Sequence, residues 1–261
     1  MRKAVLLLHG WLTDINDFEN IIPFLEKNYD HLERITYPGH GEGEDYREFN
    51  AEKTFELIES TFVSLSSKYE IIDVIGYSMG GALATYLASN YHFRKLVLLA
   101  PANKYFNFVY PFSKIKNFLK LIYAIQKAII KKDYENKDIL KQKIKFILKD
   151  DMQSLRFARD KYLKSYFRHT YRNFKNVIKR VNENIKEIKN PCFLAWGKLD
   201  QLVPKESIRY LTDKCINNCI KIKTYENLSH LLLLSPNCEE LVEDIRLFLE
   251  DKEDLLESNF T

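Results

Sequence analysis

Three residues in this chain have types that could carry out acyl transfer together, and they come in the order serine, aspartate, histidine. Ser78 stands in Gly76-Tyr77-Ser78-Met79-Gly80, a G-x-S-x-G stretch that, with Gly81, uses three of the chain's eight glycines. This spacing suits a serine at a sharp strand-to-helix turn, where the residues two before and two after it must be small. A serine at its ordinary pKa is a weak nucleophile and needs a base. Among the six histidines, His230 lies beyond the last strand-like run, in Tyr225-Glu226-Asn227-Leu228-Ser229-His230, where a base for such a turn belongs. Asp200 follows the preceding run, in Trp196-Gly197-Lys198-Leu199-Asp200, and would hold the imidazole in its working tautomer. Each residue alone also fits a structural role. Their order, with each at a strand end, favours chemistry.

An oxyanion on an attacked carbonyl needs two N–H donors. Met79 supplies one, at the positive end of the helix that follows the serine. The turn in Leu6-Leu7-Leu8-His9-Gly10-Trp11 supplies the other, from Trp11. Only the backbone of these two is required, which leaves both side chains free to line a pocket. His9 and His40 read as hydrogen-bonding residues that orient loops.

The elements that must position these residues alternate. Apolar runs at 4–8, 32–37, 71–75, 96–99, 192–196 and 219–225 predict strands, and helical spacing at 17–27, 51–67, 82–89 and 239–249 predicts helices. Alternation of this kind implies parallel βαβ units. All eight glycines fall just after a strand-like run or, in one case, at its end, which is the sheet edge where open parallel sheets bind ligands.

Residues 104–186 break the pattern. They have no glycine, one proline at Pro111, and Phe118, Leu121, Ile122, Ile125 and Ile129 at helical spacing. They also hold 22 Lys+Arg against 7 Asp+Glu in a chain whose net charge is only +4. So local an excess marks a distinct helical insertion, expected at 103–172 within a single domain spanning 1–261.

With 46% hydrophobic residues the chain can bury a core, which excludes a disordered composition. The apolar stretch at 4–8 is too short for a secretory leader, and no run approaches the ~18 residues of a membrane span. Cys192, Cys215, Cys219 and Cys238 include no C-x2-C pair, so they read as reduced thiols, with Cys215 and Cys219 on one face if that segment is helical. The expected location is cytoplasmic.

In their order, Leu6-Leu7-Leu8-His9-Gly10-Trp11, Tyr37-Pro38-Gly39-His40-Gly41-Glu42-Gly43, the Ser78 stretch and the Asp200 and His230 stretches resemble the motifs of α/β-hydrolases. The small bacterial carboxylesterases and monoacylglycerol-lipase-like enzymes are the nearest group. The resemblance implies an α/β-hydrolase fold of about six mostly parallel strands flanked by helices, with a helical cap inserted after the strand ending near Leu99. It implies a serine hydrolase with no cofactor and no metal, acting on a small-molecule or lipid ester. Carried over by position, Ser78 is nucleophile, Asp200 acid and His230 base, with Trp11 and Met79 as oxyanion donors. Tyr77 and the cap residues Phe106, Phe108 and Phe112 become pocket candidates. Two departures stand out. Leu228-Ser229-His230 replaces the frequent S-G-H, and the chain begins close to the oxyanion strand, so little or no antiparallel edge is expected. The same triad would also serve a thioester, an amide or a C–C bond, and a ligand-binding protein of this fold is a further alternative. No nucleic-acid motif accompanies the basic charge; contact of the cap with anionic membrane surfaces, the oligomeric state and the acyl and alcohol groups stay open.

Overall fold

A computed structural model of the chain describes residues 1–104, 116, 120, 122–127, 130, 138, 140, 164–215 and 220–252. The chain divides into two compact units: Met1–Phe106 with Arg168–Thr261, and Asn107–Phe167. Of the second unit, residues 122–127 are helical.

The first unit is built on a six-stranded sheet. Its strands are β1 (Lys3–Leu8), β2 (His31–Ile35), β3 (Ile71–Tyr77), β4 (Lys95–Leu99), β5 (Cys192–Gly197) and β6 (Ile220–Tyr225). Their order is β2-β1-β3-β4-β5-β6, and every pairing is parallel. Among the described residues the sheet therefore has the expected strand number and no antiparallel edge. β4 and β5 are buried along their whole length, as continuous apolar runs in a sheet covered on both faces should be. The edge strands β2 and β6 are half-buried or exposed at most positions.

Helices α1 (Ile22–Asn28), α2 (Ala51–Ser66), α3 (Met79–Asn90), α4 (Phe167–Asn184), α5 (Lys205–Thr212) and α6 (Glu239–Leu249) complete the unit, with short 3-10 turns at Ile15–Ile21 and Tyr46–Glu48. Helix α2 starts where the Asn50 side chain accepts from Lys53 N–H at 3.1 Å, satisfying one of the orphan donors of the first turn. α4 buries Thr170, Asn173, Phe174, Val177 and Val181, a stripe at helical spacing, and its Asn173 Oδ1 accepts from Ala51 N–H at the start of α2. Among the described residues no helix is long and apolar enough to cross a membrane.

Three local expectations change. The single helix expected at 17–27 is a 3-10 turn followed by α1, because Pro23 has no N–H to continue the ladder and sits in the first turn of a new helix. Phe18, Ile21 and Leu25 still face the core. Cys215 is not helical: it pairs with Ile188 in an isolated parallel bridge, and Ile188 N–H donates to Lys214 O. Cys219 lies outside the described residues. α3 begins three residues earlier than its apolar spacing suggests, directly after Ser78.

Candidate active site

The strand order reverses between β1 and β3, and the crevice at the carboxyl ends of the strands there is where doubly wound sheets place ligands. Ser78 stands at this point, between β3 and α3, with φ 52° and ψ −113°. A non-glycine residue in this region carries strain of roughly 1–3 kcal/mol, tolerated only where the surroundings over-determine it. They do so here. Ser78 N–H donates to Leu99 O at 2.9 Å, and Ser78 O accepts from Ala102 N–H at 3.0 Å and Ala82 N–H at 3.2 Å.

The flanking glycines make the turn possible. A Cβ on Gly76 would lie 2.4 Å from Gly80 O, and one on Gly80 would lie 1.9 Å from Leu8 O and 2.5 Å from His9 O. The close approach at Gly80 brings the start of α3 against the end of β1, and so sets Met79 beside the loop that carries Trp11.

The other two side chains meet the serine. His230 Nε2 accepts from Ser78 Oγ–H at 3.0 Å, and His230 Nδ1–H donates to Asp200 Oδ2 at 2.8 Å. Asp200 Oδ1 is held separately by the N–H groups of Leu202 at 2.8 Å and Val203 at 2.9 Å. The Asp200 side chain has no solvent exposure, and that of His230 has 11%. Both loops are tied to each other by backbone: Lys198 N–H donates to Tyr225 O and Leu199 N–H to Leu228 O. This needs a glycine at 197, where a Cβ would stand 2.3 Å from Leu228 O. The Leu228-Ser229-His230 variant is thus accommodated, with Leu228 buried in the core.

The oxyanion-loop candidates lie on an ordered turn. Leu12 adopts φ 60°, and its N–H donates to His40 Nε2 at 3.3 Å. His40 Nδ1–H in turn donates to Pro38 O at 3.2 Å. His9 is fully buried, and its Nδ1–H donates to Gly10 O at 2.8 Å. Burial, helped by nearby His40, lowers the His9 pKa to about 3, so the ring is neutral at any working pH. Both histidines orient the loop, as their positions suggest. The Trp11 side chain is buried, with ring centroids 5.0 Å from Phe174 and 6.3 Å from Tyr171 on α4. Met79 is also fully buried. Tyr77 lies between this loop and the base: its ring is 5.3 Å from that of His230 and 3.0 Å from a Cβ built on Gly10. The remaining pocket candidates, Phe106, Phe108 and Phe112, lie outside the described residues.

One residue of the site escapes sequence reasoning. Asp17 sits in an amphipathic stretch where an acidic residue reads as solvent-facing, yet it is 5% exposed. Its Oδ2 accepts from Gly10 N–H at 2.9 Å and Thr13 Oγ–H at 2.5 Å. Burial raises its pKa to about 7 against the pull of those two hydrogen bonds. Nothing in its type or spacing signals this burial in the sequence.

A parallel doubly wound sheet, with a strained serine at the end of β3 hydrogen-bonded to a histidine that is in turn bonded to an aspartate, is the architecture of an α/β-hydrolase. The family model described as "Hydrolase_4: Serine aminopeptidase, S33" matches residues 1–237, and the chain belongs to that family. Among curated proteins, the chain is 27% identical over 244 residues to monoacylglycerol lipase ABHD6 of Mus musculus, covering 89% of this chain and 71% of that protein. It is 22% identical over 254 residues to a carboxylesterase of Bacillus subtilis (strain 168), covering 95% and 92%. Among solved structures, Paleococcus ferrophilus monoacylglycerol lipase superposes with a TM-score of 0.64 at 16% identity, covering 95% of this chain and 94% of that one. The esterase EaEST from Exiguobacterium antarcticum gives 0.63 at 17%, covering 95% and 92%. These two likenesses establish the fold.

Proposed function

We propose that this α/β-hydrolase is a serine esterase that cleaves carboxylic esters through an acyl-enzyme on Ser78. The observation that carries the reading is the continuous hydrogen-bonded chain from Ser78 Oγ through His230 to Asp200. In the proposed cycle His230 Nε2 takes the serine proton as Oγ attacks the ester carbonyl. The Asp200 carboxylate stabilises the imidazolium that forms and does not itself take the proton. The N–H groups of Trp11 and Met79 hold the oxyanion, a contribution worth about 10²–10³ in rate per donor. His230 then protonates the leaving alcohol. In the second half, water loses a proton to His230 and attacks the acyl carbon, and the acid departs.

Relatives named monoacylglycerol lipase and carboxylesterase support a carboxylic ester, with monoacylglycerols among the candidates. The family description names an aminopeptidase, so the substrate panel must include amides. The insertion follows β4 in the chain, and the reading keeps Phe106, Phe108 and Phe112, which lie outside the described residues, as pocket candidates. Its basic charge would favour anionic lipid surfaces; co-sedimentation with anionic vesicles that ignores salt would speak against this. The proposed location is cytoplasmic, on the reading of the cysteines as reduced thiols with no C-x2-C pair; cell fractionation checks it.

The test of the core reading is a panel of p-nitrophenyl esters, monoacylglycerols, lysophospholipids and aminoacyl anilides, with fluorophosphonate labelling. The wild type should hydrolyse esters and take the label at Ser78, and folded Ser78→Ala should do neither. Retained activity in that variant sinks the assignment, and a preference for anilides replaces the ester by an amide.

A further inference from the structure

We infer that Asp17 is a positioning residue for the oxyanion loop: its carboxylate holds the Gly10 N–H and the Thr13 hydroxyl, and so fixes the peptide of Trp11 between them. The inference rests on the reading of Trp11 as an oxyanion donor and extends it.

Both contacts converge on one oxygen, Asp17 Oδ2, at 2.9 Å from Gly10 N and 2.5 Å from Thr13 Oγ. They bracket Trp11 and Leu12 in the chain. The base from which Asp17 reaches the loop is rigid. It sits in the 3-10 turn Ile15–Ile21, whose Phe18 and Ile21 have no exposure and whose first turn is capped by the Asp14 side chain accepting from Asn16 N–H at 2.9 Å. On the far side, Leu12 is held at φ 60° with its N–H on His40. The loop is therefore fastened at residues 10, 12 and 13, with Trp11 in the middle.

A carboxyl group in this place is not explained by stability. Asp14 nearby repels its charge, and the two donors it holds, Gly10 N–H and the Thr13 hydroxyl, are neutral. A buried carboxyl without a cationic partner costs folding free energy, and an apolar residue of similar size would pack at lower cost. What the carboxylate adds is direction: two donors drawn to one point, which an apolar side chain cannot provide. An oxyanion hole works only when its donors are already in place, and displacement by about 1 Å can cost about 10² in rate.

The test is steady-state hydrolysis of p-nitrophenyl butyrate by the full chain. Wild type and Ser78→Ala come first; an inactive wild type, or an active Ser78→Ala, defeats the esterase reading itself and the inference with it. Given an active wild type, folded Asp17→Leu should lose about 10- to 100-fold in kcat with KM within about threefold, the split expected when a transition-state contact is misplaced. Asp17→Asn keeps an acceptor oxygen at the same point and should restore kcat to within about threefold of wild type. If Asp17→Leu does not fold, Thr13→Val decides, with an expected loss of about threefold or more in kcat. Wild-type kcat in folded Asp17→Leu or in Thr13→Val, a change confined to KM, or an Asp17→Asn as impaired as Asp17→Leu overturns the inference.

Discussion

Replacing Asp200 by Asn separates the two jobs of that side chain. Its Oδ1 accepts from Leu202 and Val203 N–H, and its Oδ2 accepts from His230 Nδ1–H. An amide has only one acceptor oxygen. Turning the amide to keep that oxygen on His230 would point its NH2 at two backbone donors, each left unsatisfied at about 1–3 kcal/mol. The amide oxygen therefore stays on Leu202 and Val203, and the NH2 faces His230. The imidazole answers with an unprotonated Nδ1, and its proton moves to Nε2, which faces Ser78. A protonated Nε2 cannot take the serine proton. Forcing the wrong tautomer on a triad of this kind costs about 10⁴ in kcat, or about 5 kcal/mol of transition-state stabilisation. The assay is kcat for p-nitrophenyl butyrate near neutral pH, with circular dichroism and thermal melting to show that the fold is intact. KM should stay within about threefold, since no ester contact is removed. A folded Asp200→Asn enzyme that keeps more than about a tenth of wild-type kcat would refute the tautomer argument.

Two further outcomes concern stability. The folded-state pKa of Asp17 is raised from 3.8 to about 7, so the folded protein keeps a proton that the unfolded chain has lost, and stability falls as pH rises through that window; Asp17→Asn should remove a slope worth at most about 4 kcal/mol between pH 4 and 8, and urea midpoints that decline in parallel for both proteins would contradict it. Gly80→Ala puts a Cβ 1.9 Å from the backbone oxygen of Leu8 and should cost more than about 4 kcal/mol or prevent folding; Gly43→Ala, at φ 76° with nothing within 4 Å, should cost only about 1–2 kcal/mol by melting temperature.

The strands and helix α6 were readable because continuous apolar runs and a helical stripe are local properties. Glu239–Leu249 matches its expected bounds, and the parallel sheet follows from strand–helix alternation. Ser78, Asp200 and His230 could be singled out because each lies at a strand end, where backbone alone determines position. Asp17 could not be, because its importance depends on a carboxylate reaching a loop that only tertiary folding brings near. The short α5, Lys205–Thr212, carries too few apolar residues to announce itself; it buries only Ser207, Ile208 and Leu211. The departure of Cys215 from helix likewise depends on a distant partner, Ile188.

β4 and β5 lie side by side, with Leu96 opposite Cys192, although the entire insertion separates them in the chain. Ser78 arrives on the near side of that gap and Asp200 and His230 on the far side. On the proposed reading, the strained serine therefore exists for a time during synthesis with nothing to deprotonate it, and the nascent chain carries no competent site until β5 and β6 have docked. Closing so long a loop is entropically costly to begin with, but each doubling of its length adds only about 0.6 kcal/mol. The insertion can therefore lengthen, shorten or diverge at little cost to the sheet, while formation of the β4–β5 pair sets when activity first appears.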